Sequence, residues 1–420
     1  MKKIIILFIF FYIFSCNSFN SSTLQNEFKN VDVDKLLSNY EKIKIDDCEI
    51  SYEVPKINSN EHRQCKIEQL FDSLYVVKLE TNDNNIIGAI DELTIVNDTI
   101  YVLDSWSTKT VCLFDMTGKF IRKIGRVGNG PGEYVEPTSF SVDDKNILIY
   151  DQWQHKGLKY DHSGNLLSEH WLPFLCFKII ELPNGDVLCY GNDEDNEHLP
   201  EILDYKFWVC DSSYNTIKKV GYFHEHNKYI RMMIRGLYNY NGYRYYFDNK
   251  DNAYYKIKDN GDLELLFTLK FGNEKDDRFY MDDNYSREMM IKGERYFITH
   301  CLKLNNVITY SVPTIGPRET VFHNIVDNRI LHYSGTEIWS SQMSRVLFLS
   351  EIKTCYKDCF VYCLSPEKIL SVNKQIMSQI PDLWSDAPRH VMEFDKKLLE
   401  SLHDEDNDIL IFAKVKEHFD

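Results

Sequence analysis

The stretch TIYVLDSWSTKTVCLFDMTGKFIRKIG, residues 99–125, reappears in outline as NILIYDQWQHKGLKYDHSGNLLSEHW, residues 146–171. Each unit is an apolar strand that ends in Asp, a polar turn, a second strand that ends in Asp, and a Gly turn into a third strand. The aligned positions, 46 to 47 residues apart, are Asp104 and Asp151, Asp115 and Asp161, and Gly118 and Gly164. This offset is close to the length of one four-stranded blade, so the repeat predicts a β-propeller.

Two weaker copies follow these units. The third lies within residues 185–223 and has an insertion between its strands. The fourth occupies residues 243–269, where Asp248 and Gly261 take the repeated positions. Later in the chain the period is indistinct, but residues 68–416 have room for six blades of about 40 to 55 residues.

A propeller must join its first and last blades, because open sheet edges invite aggregation. SLYVVKLE, residues 73–80, is a strand that precedes the first clear repeat. DILIFAKVKEH, residues 408–418, alternates and is rich in β-formers. We predict that these two segments share one sheet, with residues 74–79 as the strand from the N-terminal end.

The composition also favours an all-β fold. Aromatic residues make up 14% of the chain, and they suit a pleated surface, whereas alanine, the best helix former, is nearly absent. The net charge is −16, and no cluster of Lys and Arg interleaves with the aromatics. Such a field repels polyanions, so we expect no nucleic-acid partner.

The first sixteen residues, MKKIIILFIFFYIFSC, have the pattern of a secretory signal, with two lysines, a short apolar run and a small residue before the cut. The apolar run is too short for a permanent transmembrane helix. The ending resembles a bacterial lipobox, which implies that Cys16 is lipidated and becomes the first residue. An ordinary signal peptide cut nearby is the alternative.

We therefore predict three regions. They are a signal peptide over residues 1–15, a lipidated N-terminus and linker over residues 16–67, and a six-bladed β-propeller over residues 68–420. The expected location is the outer membrane, through the lipid anchor. Residues 17–31 lack the acidic run that often marks surface display, which favours the periplasmic side.

The region around the first repeat resembles the six-bladed β-propeller lipoproteins of gut-type Gram-negative bacteria, which are related to NHL-repeat and TolB-like propellers. The matching residues in its first part are Leu79, Glu80, Thr81, Ile87, Gly88, Asp104, Phe114, Asp115, Gly118, Lys119 and Phe120. Those in the Gly-rich segment GRVGNGPGEY are Gly125, Gly128, Gly130, Pro131, Gly132, Glu133 and Tyr134. The resemblance implies the fold, but no established activity comes with most of this family.

The Gly-rich segment does not have the spacing of a phosphate-binding loop. A P-loop ends in Gly-Lys-Ser/Thr and opens a helix, whereas Glu133 and Tyr134 precede a turn and a strand here. The segment lies where the outer strand of one blade leads to the inner strand of the next. We predict a structural turn, in which glycines allow positive φ and Pro131 stiffens the chain. A ligand contact at the axial mouth is the alternative.

Few residues have the spacing of a metal site. His224 and His226 share one face of an extended chain, but a third ligand would have to come from elsewhere. The acidic loop with Asp193, Asp195 and Glu197 lacks the length and the terminal Glu of an EF-hand. We predict solvated loops in both places, and neither a metal nor another cofactor.

The cysteines and tyrosines are predicted to be packing residues. Ten cysteines follow Cys16 and are scattered along the chain, as buried free thiols are. The series at positions 355, 359 and 363 lies among aromatic and β-branched residues, which predicts a hairpin rather than a metal-binding helix. Tyrosines that could stack on sugars, or pack between blades as we expect, are Tyr238, Tyr240, Tyr243, Tyr245, Tyr246, Tyr254 and Tyr255.

These observations predict a monomeric binding or scaffolding module for a protein or glycan partner at the cell envelope. The chain contains no His-Glu-x-x-His, no Gly-x-Ser-x-Gly and no Cys-x-x-Cys motif. The alternative is an NHL-like propeller enzyme, a lyase or hydrolase with its site at the axial channel. His, Asp or Glu residues converging on one mouth would favour the enzyme, and an open apolar or aromatic face would favour binding.

The lipid anchor can be tested with one substitution. Cys16→Ala should release the protein from the membrane fraction, because the acylated sulfur would be missing. Cys48→Ala is the matched control and should leave the protein with the membranes. Fractionation followed by immunoblotting measures both, and a Cys16→Ala variant that stays as membrane-bound as the parent would contradict the prediction.

Overall fold

The computed structural model describes residues 27–55, 67–191, 196–223, 236–272, 278, 282–292, 298–312, 319–334, 351–370 and 400–419. These residues form six sheets arranged as a six-bladed β-propeller, which confirms the predicted all-β fold. No helix in this part of the chain has the length and apolar character needed to cross a membrane.

The chain enters the propeller through short elements. They are α1 (Val33–Leu36), β1 (Glu41–Lys42), β2 (Ile45–Asp46), β3 (Ser51–Glu53), α2 (Ile67–Leu70) and β4 (Phe71–Lys78).

Blades 1 to 5 each contain four antiparallel strands that follow one another along the chain. Blade 1 comprises β5 (Glu92–Val96), β6 (Thr99–Asp104), β7 (Thr110–Asp115) and β8 (Phe120–Ile124). Blade 2 comprises β9 (Pro137–Val142), β10 (Asn146–Asp151), β11 (Lys156–Asp161) and β12 (Leu166–Trp171). Blade 3 comprises β13 (Lys178–Glu181), β14 (Val187–Tyr190), α3 (Pro200–Leu203), β15 (Tyr205–Cys210) and β16 (Ile217–Phe223).

The remaining blades complete the ring. Blade 4 comprises β17 (Leu237–Tyr240), β18 (Tyr243–Asp248), β19 (Ala253–Ile257) and β20 (Leu263–Lys270). After α4 (Asp283–Ile291), blade 5 comprises β21 (His300–Leu304), β22 (Val307–Val312), β23 (Glu319–Asn324) and β24 (Arg329–Ser334). Blade 6 comprises β25 (Glu351–Tyr356), β26 (Cys359–Leu364) and β27 (Ile409–Val415), with β4 as its fourth strand.

The first strand of each blade lies nearest the axis, and the fourth lies outermost. Strands alternate in direction, so the loops fall on two faces. The face that carries the turns between second and third strands and the crossovers between blades is called the upper face. The lower face carries the turns between first and second strands and between third and fourth strands.

The repeated Asp at the end of the second strand, present in blades 1, 2 and 4, fastens the upper face. The buried carboxylate of Asp104 accepts hydrogen bonds from the backbone N–H of Ser107 (2.8 Å) in its own turn and of Gly88 (2.7 Å) in the preceding crossover. Asp151 does the same in blade 2 with Trp153 (3.0 Å) and Val135 (2.7 Å). Each Asp therefore satisfies backbone donors that would otherwise be buried without partners.

The second Asp and the Gly of the repeat build the turn at the lower face. Asp115 accepts hydrogen bonds from the backbone N–H of Thr117 (2.8 Å) and Lys119 (3.0 Å). Gly118 has a φ of +85°, which an L side chain adopts at a cost. A Cβ at this position would also lie 2.1 Å from the carbonyl oxygen of Lys78. The residues that recur in the sequence are therefore those that these two turns require.

The ring closes as predicted, because the strand from the N-terminal end pairs with the last strand of the chain. β4 lies antiparallel to β27, with Lys78 opposite Ile409 and Phe71 opposite Val415. Asn407 reinforces the closure, since its side chain accepts from the N–H of Ile87 (2.8 Å) and its amide donates to nearby carbonyls.

Residues 27–55, which we call the N-terminal strap, pack along the outside of blades 2 to 4. This strap lies within the segment predicted as lipidated N-terminus and linker. Its strands add to blade edges in parallel fashion, β1 on β16 and both β2 and β3 on β20. Phe28 is buried, and its ring stacks on His198 with the centroids 4.4 Å apart.

Deletion of residues 408–420 should abolish the cooperative thermal transition of the whole propeller. Residues 409–413 are completely buried. Each large apolar side chain among them contributes about 1.5–3 kcal/mol, so their combined loss is comparable with the free energy of unfolding of a whole domain. Circular dichroism melting measures the effect.

The control for this deletion is Lys414→Ala on the same strand. Lys414 forms a half-exposed ion pair with Asp358 at 3.2 Å, and such pairs are worth about 0–1 kcal/mol. Its melting temperature should stay close to that of the parent. A truncated chain that melts like the parent would show that β27 does not hold the ring together.

Candidate functional site

The inner strands of the blades surround an axial channel that contains two cavities. The upper one, about 100 Å³, is lined by residues of all six blades, including Glu92, Lys178 and His300. The lower one, about 700 Å³, opens at the lower face and is lined mainly by turns of blades 1 to 4.

A constriction separates the two cavities. Blades 1 and 4 stand opposite each other in the ring, and their inner strands are in contact across the axis. The hydroxyl of Thr94 donates to the carbonyl oxygen of Asn239 (3.1 Å), and the Asn239 amide donates to the carbonyl oxygen of Val142 (3.2 Å). These bonds join three blades at the level where the lower cavity begins.

The upper cavity is an ion-paired environment. Lys178 Nζ lies 2.9 Å from Glu92 Oε1, and both side chains are largely buried. Lys353 Nζ lies 3.5 Å from Glu351 Oε2. Glu92 and Glu351 therefore have cationic neighbours at this level of the channel.

Arg244 is the distinctive residue of the lower cavity. It is only 8% exposed, and its Nε has no hydrogen-bond partner within the part of the chain that the structure describes. Burial lowers the pKa of Arg244, although the carboxylates of Asp259, Asp143 and Glu181 act in the opposite direction. A buried cation without a hydrogen-bonded partner is costly, so it points to a site for an anionic group.

A tight turn places Arg244 at this mouth. Asn241 and Gly242 both have positive φ, 51° and 75°, as a two-residue hairpin turn of the Asn-Gly type requires. The side chain of Asn241 accepts from the N–H of Lys357 (2.7 Å) and donates to its carbonyl (3.0 Å), which ties this turn to blade 6. Tyr243 follows the turn and is 50% exposed.

Other cations and an aromatic ring surround the opening. Lys256 Nζ lies 4.3 Å from the centroid of the Tyr243 ring. Lys145 is exposed at the rim, and neither of these lysines forms an ion pair with a described residue. Four carboxylates also line the opening, those of Asp143, Asp144, Asp259 and Glu264, and Asp144 accepts a hydrogen bond from Asn97 (3.2 Å). The mouth combines charged groups of both signs, amide groups and an exposed ring, and its buried guanidinium suits an anionic group on a polar ligand.

The Gly-rich segment lies between β8 and β9 on the upper face, at the crossover from blade 1 to blade 2. Glu133 folds back on the loop, accepts from the N–H of Gly130 (2.7 Å) and pairs with Arg126. Tyr134 is completely buried, and its hydroxyl donates to the carbonyl of Ile124 (2.7 Å). These bonds are internal to the protein, as in a structural turn.

The remaining glycines of this segment are held closely by neighbours. A Cβ at Gly128 would lie 2.1 Å from the Glu133 carboxylate. Gly132 donates its N–H to Glu169 (2.7 Å), and its carbonyl accepts from the Tyr160 hydroxyl (2.8 Å). Pro131 stands between Gly130 and Gly132 at the tip of the loop. The segment lies on the face opposite the lower cavity.

Several predicted site residues fall outside the described residues: Cys16, Asp193, Asp195, His224 and His226. Among the described residues, no group of three or more His, Cys, Asp or Glu side chains is placed to hold a metal ion. The nine described cysteines are free, and the series from Cys355 to Cys363 lies in a hairpin, as predicted. Of the seven tyrosines singled out, most are buried, and Tyr243 alone among them is exposed.

Comparison with known proteins identifies the family. The family model of DUF4934, a domain of unknown function, matches residues 50–414. The chain belongs to the DUF4934 family. No curated protein matches the chain in a sequence search. The wider resemblance to NHL-repeat and TolB-like propellers and to gut-type lipoproteins stays a prediction.

Solved structures share the fold of this DUF4934 protein. A Bacteroides fragilis protein described as exported aligns with a TM-score of 0.64 at 19% identity, over 89% of this chain and all of its own. A DUF4221 member from Bacteroides vulgatus aligns at 0.48 and 11% identity, over 83% and 97% of the two chains. Streptogramin B lyase aligns at 0.33 and 12% identity, over 64% and 89%. At these identities the first likeness establishes the fold alone, and the other two support no argument.

Arg244 is not among the residues that the sequence patterns predicted as a site, although a signal for its position exists. Asn241 and Gly242 form a dipeptide that is typical of a tight hairpin, and Arg244 follows in a strand of tyrosines. The two strong repeats also share an Asp-x-Trp pattern, which ends in Trp106 and Trp153. Neither tryptophan was predicted as a site residue.

Gly125→Ala should destabilise this DUF4934 propeller by about 2–5 kcal/mol, from left-handed backbone strain plus steric overlap. Gly125 has a φ of +65°, and a Cβ there would lie 2.6 Å from the Tyr134 ring and 2.8 Å from the Tyr160 hydroxyl. Urea denaturation measures the change in the free energy of unfolding.

The matched control is Gly185→Ala. Gly185 also has positive φ (+85°), but a Cβ there would meet nothing within 4 Å. Only the backbone strain remains, about 1–2 kcal/mol. Equal losses for the two variants would show that the contacts of the Gly-rich crossover do not matter to stability.

Proposed function

We propose that this DUF4934 protein is an exported, lipid-anchored propeller that binds an acidic glycan of the cell envelope in its lower cavity. The observation that carries the proposal is the buried guanidinium of Arg244 at the wall of a 700 Å³ cavity. A ligand carboxylate or sulfate would supply the missing partner. Guanidinium groups bind such groups through two parallel hydrogen bonds, which are both strong and directional.

The surroundings of Arg244 support a ligand rather than an internal partner. Glu181, the most buried carboxylate near it, is already paired with Lys159 at 2.8 Å. Lys145 and Lys256 add positive charge at the same opening. Asp259 and Asp143 also act on Arg244 electrostatically, but its Nε has no hydrogen-bond partner among the described residues. The hydrogen-bonded anionic group is therefore expected to come from outside the chain.

The choice of a glycan rests on the shape and chemistry of the mouth. A cavity of 700 Å³ is the size of a small-molecule site rather than a flat protein interface. The exposed ring of Tyr243 offers an apolar surface with a polar rim, which suits a sugar ring. Asn97 and Asn241 place side-chain amides beside it.

The channel supports binding better than catalysis. Asp91, Glu92, His300 and Glu351 converge on the upper cavity, which is the arrangement that would favour an enzyme. Each of them is engaged, however: Glu92 with Lys178, Glu351 with Lys353, Asp91 with the N–H of Ser105 and His300 with the Tyr238 hydroxyl. A general acid or base needs an unengaged group poised over the substrate. The alternative of a lyase or hydrolase predicts turnover of the bound glycan, which the binding experiment would also detect.

Export and anchoring rest on the N-terminal sequence. The charged start, the apolar run and Cys16 form the pattern of a lipoprotein signal. The similar Bacteroides fragilis protein is also described as exported.

Arg244→Gln should weaken binding of uronic-acid or sulfated oligosaccharides by about 10- to 100-fold, since a hydrogen bond to a charged group is worth about 1.5–3 kcal/mol. The unliganded variant should be at least as stable as the parent, because it loses a buried charge without a partner. A glycan array followed by titration calorimetry measures affinity, and thermal melting measures stability.

Lys109→Gln is the control, because it removes one positive charge at a distant turn of the upper face. It should bind like the parent. Equal affinity for neutral and acidic glycans, or an Arg244→Gln variant that binds normally, would contradict the proposal. If the cavity binds acidic peptides instead of glycans, the proposed anion site stands but the proposed class of ligand is wrong.

A further inference from the structure

The upper face of blades 1 and 2 exposes an unusual number of large apolar side chains. Three of them are tryptophans: Trp106 is 51% exposed, Trp153 56% and Trp171 45%. Ile86 and Val127 on the neighbouring crossovers are about equally exposed. Scattered apolar side chains are ordinary on a protein surface, but a group on one face marks an interaction site. We call these five residues the tryptophan face.

The topology places the five residues on one side. Trp106 and Trp153 occupy the turns between second and third strands, Trp171 ends the fourth strand of blade 2, and Ile86 and Val127 lie in crossovers. All these positions belong to the upper face. Two contacts join the loops: Gln154 donates to Asn129 (2.8 Å), and Gly88 lies against Ser107.

The loops that carry the two most exposed indoles are held firmly. The backbone N–H of Trp106 donates to Asp104 (3.2 Å), and that of Trp153 donates to Asp151 (3.0 Å). Both carboxylates are buried and also bind the preceding crossover. The indoles are thus presented on ordered loops, which lowers the entropic cost of burying them against a partner.

The N-terminal strap begins at the same face. The ring of Phe28 lies 5.6 Å from that of Trp171 and 5.2 Å from that of His155, and Glu27 lies 3.3 Å from His155. From Cys16 to Glu27 the chain can span at most about 40 Å when fully extended. An acyl chain on Cys16 would therefore keep this face close to the bilayer.

We propose that the tryptophan face docks on the lipid bilayer, with the three indoles at the level of the headgroups. The inference rests on the proposed lipid anchor. Tryptophan prefers the membrane interface, because its ring is apolar while its N–H still reaches polar groups. The lipid on Cys16 holds the chain at the membrane but sets no orientation, so a second point of contact would fix which face meets the bilayer.

The net charge of the protein indicates which kind of bilayer this face would contact. A net charge of −16 repels an anionic surface. The partner is therefore a zwitterionic bilayer, held by apolar contact rather than by basic residues. In this orientation the lower cavity faces away from the membrane.

The test uses the full lipidated chain in vesicles of phosphatidylcholine brominated on its acyl chains, which quench nearby tryptophans. The parent should lose fluorescence relative to unbrominated vesicles. Trp106→Gln combined with Trp153→Gln should reduce that quenching by about twofold or more while the protein stays anchored. Both side chains are more than half exposed, so the double variant should melt like the parent.

The control removes two exposed apolar residues near the lower face, Val326→Gln and Leu167→Gln, and should leave quenching unchanged. Absence of quenching in an anchored parent, or equal quenching in the double variant, would overturn the inference while leaving the anchor intact. A parent chain that does not stay with the vesicles would overturn both the inference and the anchor. Glycan binding is measured separately, so its failure is distinguishable.

Discussion

The pairing of β4 with β27 is the constraint on which the rest of the molecule depends. Each blade buries its two apolar faces against its neighbours, so a ring with one open joint leaves two faces exposed. The joint here is made by strands that are more than 300 residues apart in sequence, along seven paired positions. Because Asn407 also bonds to the crossover into blade 1, closure and the position of the first blade are set together.

The fold could be predicted because the repeat, clearest in blades 1 and 2, encodes the hydrogen bonds of the turns and crossovers. Where the repeat fades, the same bonds are made by other residues: in blade 5 Asn324 accepts from the N–H of Val326 (3.0 Å), and Asn328 adopts the positive φ that glycine has elsewhere. The strap could not be predicted. Strands of two or three residues that pair in parallel with an outer edge have no periodicity of their own, and their position depends on blades that lie far along the chain.

The candidate site was harder to predict for a similar reason. The Gly-rich segment is conspicuous in composition, yet its polar groups bind one another. Arg244 is inconspicuous, since an arginine in an alternating strand usually faces solvent. Its burial arises only when neighbouring blades converge on the channel, which no local pattern reports. The two ends of the axis therefore differ in chemistry, since the lower cavity is lined by charged groups and the upper face exposes aromatic rings.

The strap gives the propeller a graded resistance to mechanical tension. A pull on the N-terminus reaches Phe28 first and then the edge strands, of which β1 and β2 are each held by two paired positions. Only after these have peeled away does the load reach β4 with its seven. With the proposed anchor at Cys16, tension on the chain would therefore free the 29 residues of the strap, roughly 100 Å when extended, before it strained the ring. The strap would then act as an extensible spacer between the anchor and the closed propeller.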